Sequence, residues 1–393
     1  MNKDKYVTLR LIFFLKGIFP SLFFLLIPKV KERIIFSSEF NSTYKQNSRF
    51  LFEYFINKHP EKEIKFVIND EILRKDLSEK VGHYFIESGT LAGMFYVLRA
   101  KTWIVSSLET PVGGIFLSVG RHVYHLGHGS PLKSIGLLEK YTNFKKKIYL
   151  KLIRFNFSYF FSTSELFRST WSGFIGVKPN QVVIMGQARN DALYEPNQAL
   201  VKKIINKASS SKSILYAPTW RPFCKVRLFP FESFDFFRLS DFLEENNINI
   251  FLRLHPNFED AIPKKFANST RISTIFSSEV SEINDILGSF DLLITDYSSI
   301  YIDYLVTHKP ILFLPYDYSE YKEKIGFTIP YDEYTPGPKP KSQVEFESEL
   351  KKLLFNINYY KKERISANSL LNSLGNGKGS CEQNACFILE KLK

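Results

Sequence analysis

The chain has few cysteines and lacks the residue patterns that hold metal ions. Only three of its 393 residues are cysteine, at Cys224, Cys381 and Cys386, and they form neither a CxxC motif nor a metal-ligand spacing. This scarcity is typical of a reducing cytoplasm. Carboxylate clusters that would bind magnesium are also missing, so we predict no bound metal and no cofactor.

Nucleic-acid-binding signatures are absent as well. The chain contains no RNP motif, zinc-finger pattern or helix-turn-helix signal, and its 38 Phe and 21 Tyr follow the periodicity of a protein core. The net charge of +13 nevertheless indicates an anionic partner. We expect a nucleotide, a phosphorylated polymer or a lipid surface, and no nucleic acid.

Apolar residues near the amino terminus do not form an unbroken membrane-spanning run. Lys16, Gly17 and Pro20 divide the apolar stretch 10–33 into pieces too short to span a bilayer, and no signal-peptide cleavage site follows. The first 35 residues carry seven Lys or Arg against two acidic residues. We interpret residues 1–33 as a segment that rests on the anionic cytoplasmic leaflet. A buried first helix is the second alternative and a transmembrane helix the third.

A second basic and amphipathic segment covers residues 134–160. Its apolar residues recur at helical spacing, with lysines around them. An ordinary helix with one solvent-exposed face fits this pattern, and so does a helix on the membrane surface. The basic amino terminus leads us to favour membrane contact.

The rest of the chain has the composition of a globular protein of two domains. Hydrophobic residues make up 44% and charged residues 24% of its 393 residues. Short apolar runs typical of buried strands alternate with helical patterns in two series, which predicts α/β domains with parallel sheets. The polar stretch 196–213 resembles a linker. We therefore predict two Rossmann-like domains, at residues 34–200 and 201–393, with a cleft between them.

A polar turn at residues 295–299 follows one of the predicted strands. Leu292, Leu293 and Ile294 form an apolar run, the sequence Thr-Asp-Tyr-Ser-Ser follows, and helical spacing resumes at Ile300. Free backbone N–H groups between a strand and a helix suit a phosphate group. An ordinary capped βαβ unit is the alternative explanation.

A histidine lies in a glycine-rich turn after another predicted strand. Gly127 and Gly129 flank His128, so the backbone can turn sharply and a ligand can approach the imidazole. Histidine is suited to proton transfer near neutral pH, and a purely structural turn is the alternative. His122 and His125 lie on or before the strand, and we interpret both as structural.

Two further polar clusters come directly after predicted strands. One places Thr219, Trp220 and Arg221 at a strand tip, and the other places Arg253 and His255 at the end of the next strand. Each pattern is weak on its own. Together, four clusters are expected at the carboxyl edges of two parallel sheets, where α/β proteins bind ligands.

In order and spacing, these clusters resemble the CDP-glycerol glycerophosphotransferase family, which includes teichoic-acid primases and polymerases. The resemblance runs from about residue 34 to residue 338 and rests on segments 128–133, 216–221, 253–256, 295–304 and 336–338. It implies a GT-B-like fold with the active site between two domains. An acceptor hydroxyl would attack the β-phosphorus of CDP-glycerol or a related CDP-alditol, and CMP would leave.

The resemblance also implies partners and a location. The acceptor would be lipid-linked or polymeric, and the product would be teichoic acid or a capsule-type polymer. The enzyme would work at the cytoplasmic face of the bacterial cell membrane, as a peripheral or monotopic protein. A GT-B glycosyltransferase that uses a nucleotide sugar is the alternative function.

Site residues follow from the same resemblance. His128 would be the general base on the acceptor hydroxyl, and His255 would contact the diphosphate or protonate the departing CMP. The remaining assignments are the donor-side residues Ser298, Ser299, Asp296, Thr295, Arg253, Thr219 and Arg221, and the acceptor-side residues Gly129, Ser130 and Lys133. Ser298 and Ser299 would hold the diphosphate, while the two arginines would stabilise charge.

The sequence departs from the family pattern beside both substrates. Gly127 stands where these enzymes usually carry Trp, and Ser130 where they carry Thr. The usual acidic residues after Arg221 are replaced by Pro-Phe-Cys-Lys at 222–225. These departures leave the alditol and the acceptor open.

Overall fold

The computed structural model describes residues 3–205, 211–374 and 378–393. The chain divides into two compact units, Met1–Arg189 with Gly379–Lys393, and Asn190–Lys378. Both units are α/β with parallel sheets, as the alternation of apolar runs predicts.

The first unit contains a parallel sheet of seven strands. Its strands are β1 (Val30–Ser37), β2 (Glu63–Val67), β3 (Phe85–Ile86), β4 (Ala100–Val105), β5 (His122–His125), β6 (Tyr159–Ser162) and β7 (Val182–Ile184). They lie in the order β3-β2-β1-β4-β5-β6-β7, and every adjacent pair is parallel. Ile34, Ile35 and Phe36 of β1 are completely buried, because helices cover both faces of the sheet.

Seven helices accompany this sheet within the described residues before position 190. They are α1 (Lys3–Lys16), α2 (Ile18–Phe23), α3 (Gln46–Lys58), α4 (Glu71–Lys80), α5 (Leu91–Leu98), α6 (Phe144–Ile153) and α7 (Arg168–Ile175). Asn143 caps α6 by accepting a hydrogen bond from the N–H of Lys146 at 2.8 Å.

The two amino-terminal helices pack against the first unit along one side. Arg10 pairs with the buried carboxylate of Glu109, and Gly17 lies so close to Gly113 that a Cβ atom would stand 1.8 Å from the Gly113 oxygen. The opposite side of α1 and α2 exposes apolar side chains. Among residues 3–205, 211–374 and 378–393, no helix has the length and apolar character needed to cross a membrane.

The second unit contains a parallel sheet of five strands. Its strands are β8 (Lys212–Tyr216), β9 (Ile248–Leu252), β10 (Ile272–Thr274), β11 (Leu292–Thr295) and β12 (Ile311–Phe313), in the order β10-β9-β8-β11-β12. Its helices are α8 (Gln198–Ile205), α9 (Phe236–Glu245), α10 (Lys264–Ala267), α11 (Asn284–Leu287), α12 (Ile300–Leu305), α13 (Tyr318–Lys324), α14 (Gln343–Phe355) and α15 (Lys361–Leu371). The strand order reverses at β8, so the crevice between the carboxyl ends of β8 and β11 is the expected ligand site of this sheet.

The polar stretch 196–213 is not a simple linker. Gln198–Ile205 forms α8, and β8 begins at Lys212, whereas residues 206–210 lie outside the described part of the chain. Amphipathic spacing explains the helix, because its apolar residues fall on one face despite the high lysine content.

The carboxyl-terminal helix α16 (Ser380–Glu390) belongs to the first unit, although the sequence-based boundary kept residues 201–393 together. The amide of Asn384 donates to the Gly186 oxygen at 3.1 Å, and the ring of Phe387 packs edge-on against Tyr159. The first contact joins residues 198 positions apart in sequence and the second joins residues still farther apart, so local patterns do not report them.

Candidate active site

Arg221 is buried at the carboxyl edge of the second sheet, where two carboxylates hold it. Its Nη1 lies 2.8 Å from Asp296, and its Nε and Nη2 donate to Asp317 at 2.6 and 2.8 Å. The side chain is 1% exposed. The carboxylates raise the pKa of Arg221 against the opposing effect of its burial. Because the nitrogen atoms of its guanidinium group all bond to protein oxygens, Arg221 holds its own loop to the loops that carry Asp296 and Asp317.

Asp296 ties the loop after β8 to the turn after β11. Its carboxylate accepts the N–H groups of Thr219 at 2.8 Å and Tyr297 at 2.6 Å, and its own carbonyl accepts the hydroxyl of Tyr331 at 2.9 Å. The hydroxyl of Thr295 donates to Ala217 at 2.7 Å. Thr295 and Asp296 therefore hold the turn through their hydrogen bonds, and donor binding by them stays a prediction.

This network changes the interpretation of Arg221. The resemblance implied that its guanidinium would stabilise substrate charge, but the observed donors point at Asp296, Asp317 and the carbonyl of Thr219. Asp317 was missed in the sequence, although it follows β12 as the other polar clusters follow their strands. A search for every acidic residue just after a predicted strand would have found it.

Three hydroxyl groups lie at this edge of the sheet, and they differ in exposure. Thr219 is buried, and its Oγ1 has no hydrogen-bond partner among the described residues. Ser298 and Ser299 are half-buried in the turn before α12, and Ser298 Oγ accepts a 3.4 Å hydrogen bond from the Ile300 N–H. Because α12 spans only six residues, its dipole is small, and the hydroxyls and turn amides are the main candidate donors for a diphosphate.

His255 and Arg253 lie on the neighbouring loop after β9. The His255 ring is exposed and stands 5.7 Å from the Trp220 ring, so the loops after β8 and β9 meet there. Arg253 is half-buried and donates from Nη1 to the Ile275 carbonyl at 3.2 Å. Burial lowers the pKa of this guanidinium, and Glu259 opposes that effect. Strands β9, β8 and β11 are adjacent, so three of the four predicted clusters share one sheet edge.

The fourth cluster places His128 after β5 in the first unit. Gly127 and Gly129 adopt φ angles of 72° and 144°, which non-glycine residues rarely adopt. The Nδ1 atom of His128 lies 3.4 Å from the Ser106 carbonyl oxygen. A carbonyl can only accept, so this contact favours the tautomer with the proton on Nδ1 and a free electron pair on Nε2. That tautomer is the one a general base needs.

Asn47 at the start of α3 holds this turn. Its side-chain amide donates to the carbonyls of Leu126 at 3.3 Å and Gly127 at 2.9 Å, and its oxygen accepts the Arg189 N–H at 3.1 Å. Arg189 in turn donates to the His128 carbonyl at 3.0 Å. The histidine backbone is thus fixed from two segments far apart in sequence.

Desolvation favours the neutral form of the His128 imidazole. Although one side of the ring is open to solvent, the protein around its other sides desolvates it, and this lowers its pKa. Positive charge on Arg189 lowers the pKa further, whereas the Ser106 carbonyl, Glu39 and Glu109 oppose the shift. Neutral imidazole is the form that can accept a proton.

The predicted acceptor-side residues differ in their surroundings. Ser130 is buried and shares a 3.0 Å hydrogen bond with the Thr163 hydroxyl, whereas Gly129 and Lys133 are half-buried. Acceptor binding by these three residues stays a prediction. Among the described residues, no group of three or more His, Cys, Asp or Glu side chains is arranged to hold a metal ion.

Comparison with known proteins shows what this chain is similar to. Residues 21–382 match the family model of CDP-glycerol:poly(glycerophosphate) glycerophosphotransferases. The chain is 29% identical over 353 residues to the teichoic acid poly(glycerol phosphate) polymerase of Bacillus subtilis (strain 168), covering 83% of this chain and 44% of that protein. It is 26% identical to the teichoic acid glycerol-phosphate transferase of Staphylococcus aureus (strain NCTC 8325 / PS 47), and the match covers 92% of this chain and 93% of that protein.

Solved structures show the same fold. The wall teichoic acid polymerase TagF matches with a TM-score of 0.77 and 21% identity, over 100% of this chain and 98% of that chain. A TagF variant soaked with CDPG matches with a TM-score of 0.75 and 20% identity over 100% of both chains. The chain spans about half the length of the first curated relatives that it matches, 44% of one and 53% of another.

Replacing Arg221 should destabilise the second unit strongly. In Arg221→Met, Asp296 and Asp317 would stay buried without their cation, and we expect the free energy of unfolding to fall by about 3–5 kcal/mol. Arg271→Met is the matched control, because Arg271 pairs with Glu244 near the surface, where an ion pair contributes about 1 kcal/mol or less. Chemical denaturation measures both, and equal losses would contradict the role of Arg221.

The titration of His128 should respond to its two charged neighbours in opposite directions. Arg189→Gln removes a positive charge, so protonation becomes easier and the pKa of His128 should rise. Glu39→Gln removes a negative charge, so the pKa should fall. Histidine NMR titration of the wild type and both variants measures these shifts, and shifts of the same sign in both variants would contradict the electrostatic account.

Proposed function

Because this chain belongs to the CDP-glycerol:poly(glycerophosphate) glycerophosphotransferase family, we propose that it transfers glycerol phosphate from CDP-glycerol to a hydroxyl group. The acceptor is a membrane-linked glycan or polymer, the second product is CMP, and the pathway makes teichoic acid or a related capsule-type polymer. Its similarity to a poly(glycerol phosphate) polymerase and to a glycerol-phosphate transferase supports this choice.

The observation that carries the proposal is the state of His128. Its Nδ1 faces the Ser106 carbonyl, and its pKa is lowered, so at neutral pH the ring is neutral with a free electron pair on Nε2. His128 is an exposed residue, so a ligand can approach its side chain. These are the properties of a general base for a hydroxyl group.

In the proposed reaction His128 takes the proton of the acceptor hydroxyl as its oxygen attacks the β-phosphorus of CDP-glycerol. The new bond joins the acceptor oxygen to that phosphorus, and the bond between the β-phosphorus and the bridging oxygen breaks. CMP leaves with the electron pair, and His255 contacts the bridging oxygen or protonates it. Phosphoryl transfer depends mainly on alignment and charge compensation, so no covalent intermediate with the protein is needed.

Residues of the second unit hold the donor in this proposal. The hydroxyls of Ser298, Ser299 and Thr219 and the N–H groups of the turn bind the diphosphate, and Arg253 compensates its charge. Arg221 acts indirectly, by holding Asp296 and Asp317 in place. Glycerol phosphate is the proposed alditol phosphate, and ribitol phosphate is the competitor that the assay must include.

We also propose that the enzyme rests on the cytoplasmic leaflet through its amino-terminal helices and α6. Several apolar side chains on these helices or in the turns directly beside them are largely exposed, namely Leu15, Phe19, Phe23, Leu26, Tyr141 and Phe144. The two elements adjoin, since the rings of Phe14 and Tyr149 pack 6.1 Å apart. Lysines of α6 surround the apolar positions, as expected for a surface that meets anionic lipid.

Removal of the His128 imidazole should abolish turnover. With CDP-glycerol and a lipid-linked acceptor, the wild type should release CMP, and His128→Ala should release it at least about 100-fold more slowly, since general-base catalysis contributes about that much or more. His83→Ala, a substitution of an exposed histidine in the same unit, should leave the rate unchanged. Normal CMP release by His128→Ala would contradict the assigned base.

Charges placed on the exposed apolar surface should weaken membrane binding. We expect the double variant Phe19→Glu, Leu26→Glu to bind vesicles of anionic phospholipid at least about tenfold less tightly, because two apolar side chains no longer enter the lipid. Ile72→Glu with Leu91→Glu is the control, since both residues are as exposed but lie on α4 and α5. Vesicle flotation measures binding, and equal effects of the two pairs would contradict the assigned face.

A further inference from the structure

A pocket of about 290 Å³ lies beside His128 within the first unit. His125 and His128 from the end of β5 line it, together with Ser107 from the loop after β4 and Trp171 from α7. Arg10 of α1 and Tyr149 of α6 add side chains from the two elements of the proposed membrane surface. The pocket thus adjoins both the proposed base and that surface.

Ion pairs already neutralise the charged side chains of this pocket. Arg10 pairs with Glu109, Lys146 lies 2.6 Å from Glu139, and Glu39 lies 2.8 Å from Lys45. Three carboxylates thus face three cations, so the pocket offers no excess positive charge to a phosphate. An uncharged ligand suits it better.

Three neutral polar groups at the pocket have no hydrogen-bond partner among the described residues. They are the Nδ1 of His125, the Oγ of Ser107 and the indole Nε1 of Trp171, in side chains that are 1%, 6% and 3% exposed. An unsatisfied buried polar atom costs about 1–3 kcal/mol, so a ligand that supplied partners to these three residues of one pocket would be stabilised there. His125 is neutral because burial lowers its pKa to about 3.

The remaining surface of the pocket is aromatic and aliphatic. Trp171, Phe174 and Tyr149 supply apolar faces, and Ile135 and Leu150 complete them. Apolar faces combined with a few neutral donors and acceptors match the chemistry of a sugar ring or an alditol, which carries C–H faces and hydroxyl groups.

We propose that this pocket binds the terminal uncharged polyhydroxy unit of the acceptor and presents one of its hydroxyls to His128. The ligand hydroxyls supply the partners that His125, Ser107 and Trp171 lack. The inference rests on the proposed function, and it adds substrate-binding roles to three residues outside the predicted acceptor-side group. From the sequence we interpreted His125 as a structural residue, and the proposed binding role replaces that interpretation.

The serine gives the sharpest test, because its hydroxyl makes no hydrogen bond within the described protein. Ser107→Ala should raise the KM for the acceptor about five- to tenfold, the usual effect of one lost hydrogen bond. The KM for CDP-glycerol should not change, and the melting temperature should stay the same or increase. Trp171→Phe keeps a buried ring without the N–H donor and should also raise the acceptor KM.

Ser172→Ala is the matched control. Ser172 follows Trp171 on α7, and its hydroxyl also lacks a partner, but it does not line the pocket. Its acceptor KM should equal that of the wild type. An unchanged acceptor KM in both Ser107→Ala and Trp171→Phe, with CMP release intact, would overturn the inference and mean that water alone occupies the pocket.

Two probes distinguish the sources of the ligand and separate this inference from the proposed function. Methyl β-D-glucopyranoside stands for a sugar terminus and glycerophosphoglycerol for an alditol terminus. In saturation-transfer NMR, at least one probe should bind the wild-type protein. The same probe should bind Ser107→Ala more weakly than the wild type, and Ser172→Ala as tightly as the wild type. This result would support ligand binding in the pocket even if the wild type released no CMP. Failure to release CMP would refute the proposed function but not the binding of the ligand. Binding of neither probe, or equal binding to Ser107→Ala, would overturn the pocket.

Discussion

A guanidinium buried at 1% exposure must be neutralised where it lies, and this constraint organises the donor side of the protein. Two carboxylates neutralise Arg221, that of Asp296 after β11 and that of Asp317 after β12. Arg221 itself lies in the loop after β8. Three loops are thereby tied together at one edge of the sheet. Because Asp296 also accepts the N–H groups of Thr219 and Tyr297, the network reaches the residues that precede Ser298.

The first unit instead holds the turn around His128 through hydrogen bonds to carbonyl oxygens. Asn47 and Arg189 hold the backbone around His128, and the Ser106 carbonyl selects the tautomer of its ring. A carbonyl as the ring's partner suits a base whose electron pair must stay available, since a carboxylate in that place would raise its pKa. The two units therefore differ in a way that fits their proposed roles, with proton transfer in one and the binding of a charged donor in the other.

The fold and the place of the polar clusters could be predicted from the sequence, because both depend on local patterns. Buried parallel strands appear as short apolar runs, as at Leu292–Thr295, and parallel strands bring the residues after them to one edge. The place of Asp317 after β12 could be read from the sequence, but its pairing with Arg221 could not, because the two residues lie 96 positions apart and burial decides which side chains pair. The binding role that we propose for His125 could not be read from the sequence either, because the other walls of the pocket come from the loop after β4 and from α1, α6 and α7.

The central claim is that phosphorus moves from the donor to the acceptor. CDP-glycerol labelled with ³²P at the β-position tests it most directly, with purified protein and a lipid-linked acceptor. The account predicts that the label appears in the acceptor product as a phosphodiester, in amounts equal to the CMP released. Label that stays in a water-soluble nucleotide or phosphate product, while the acceptor gains only a glycosidic bond or nothing, would contradict it.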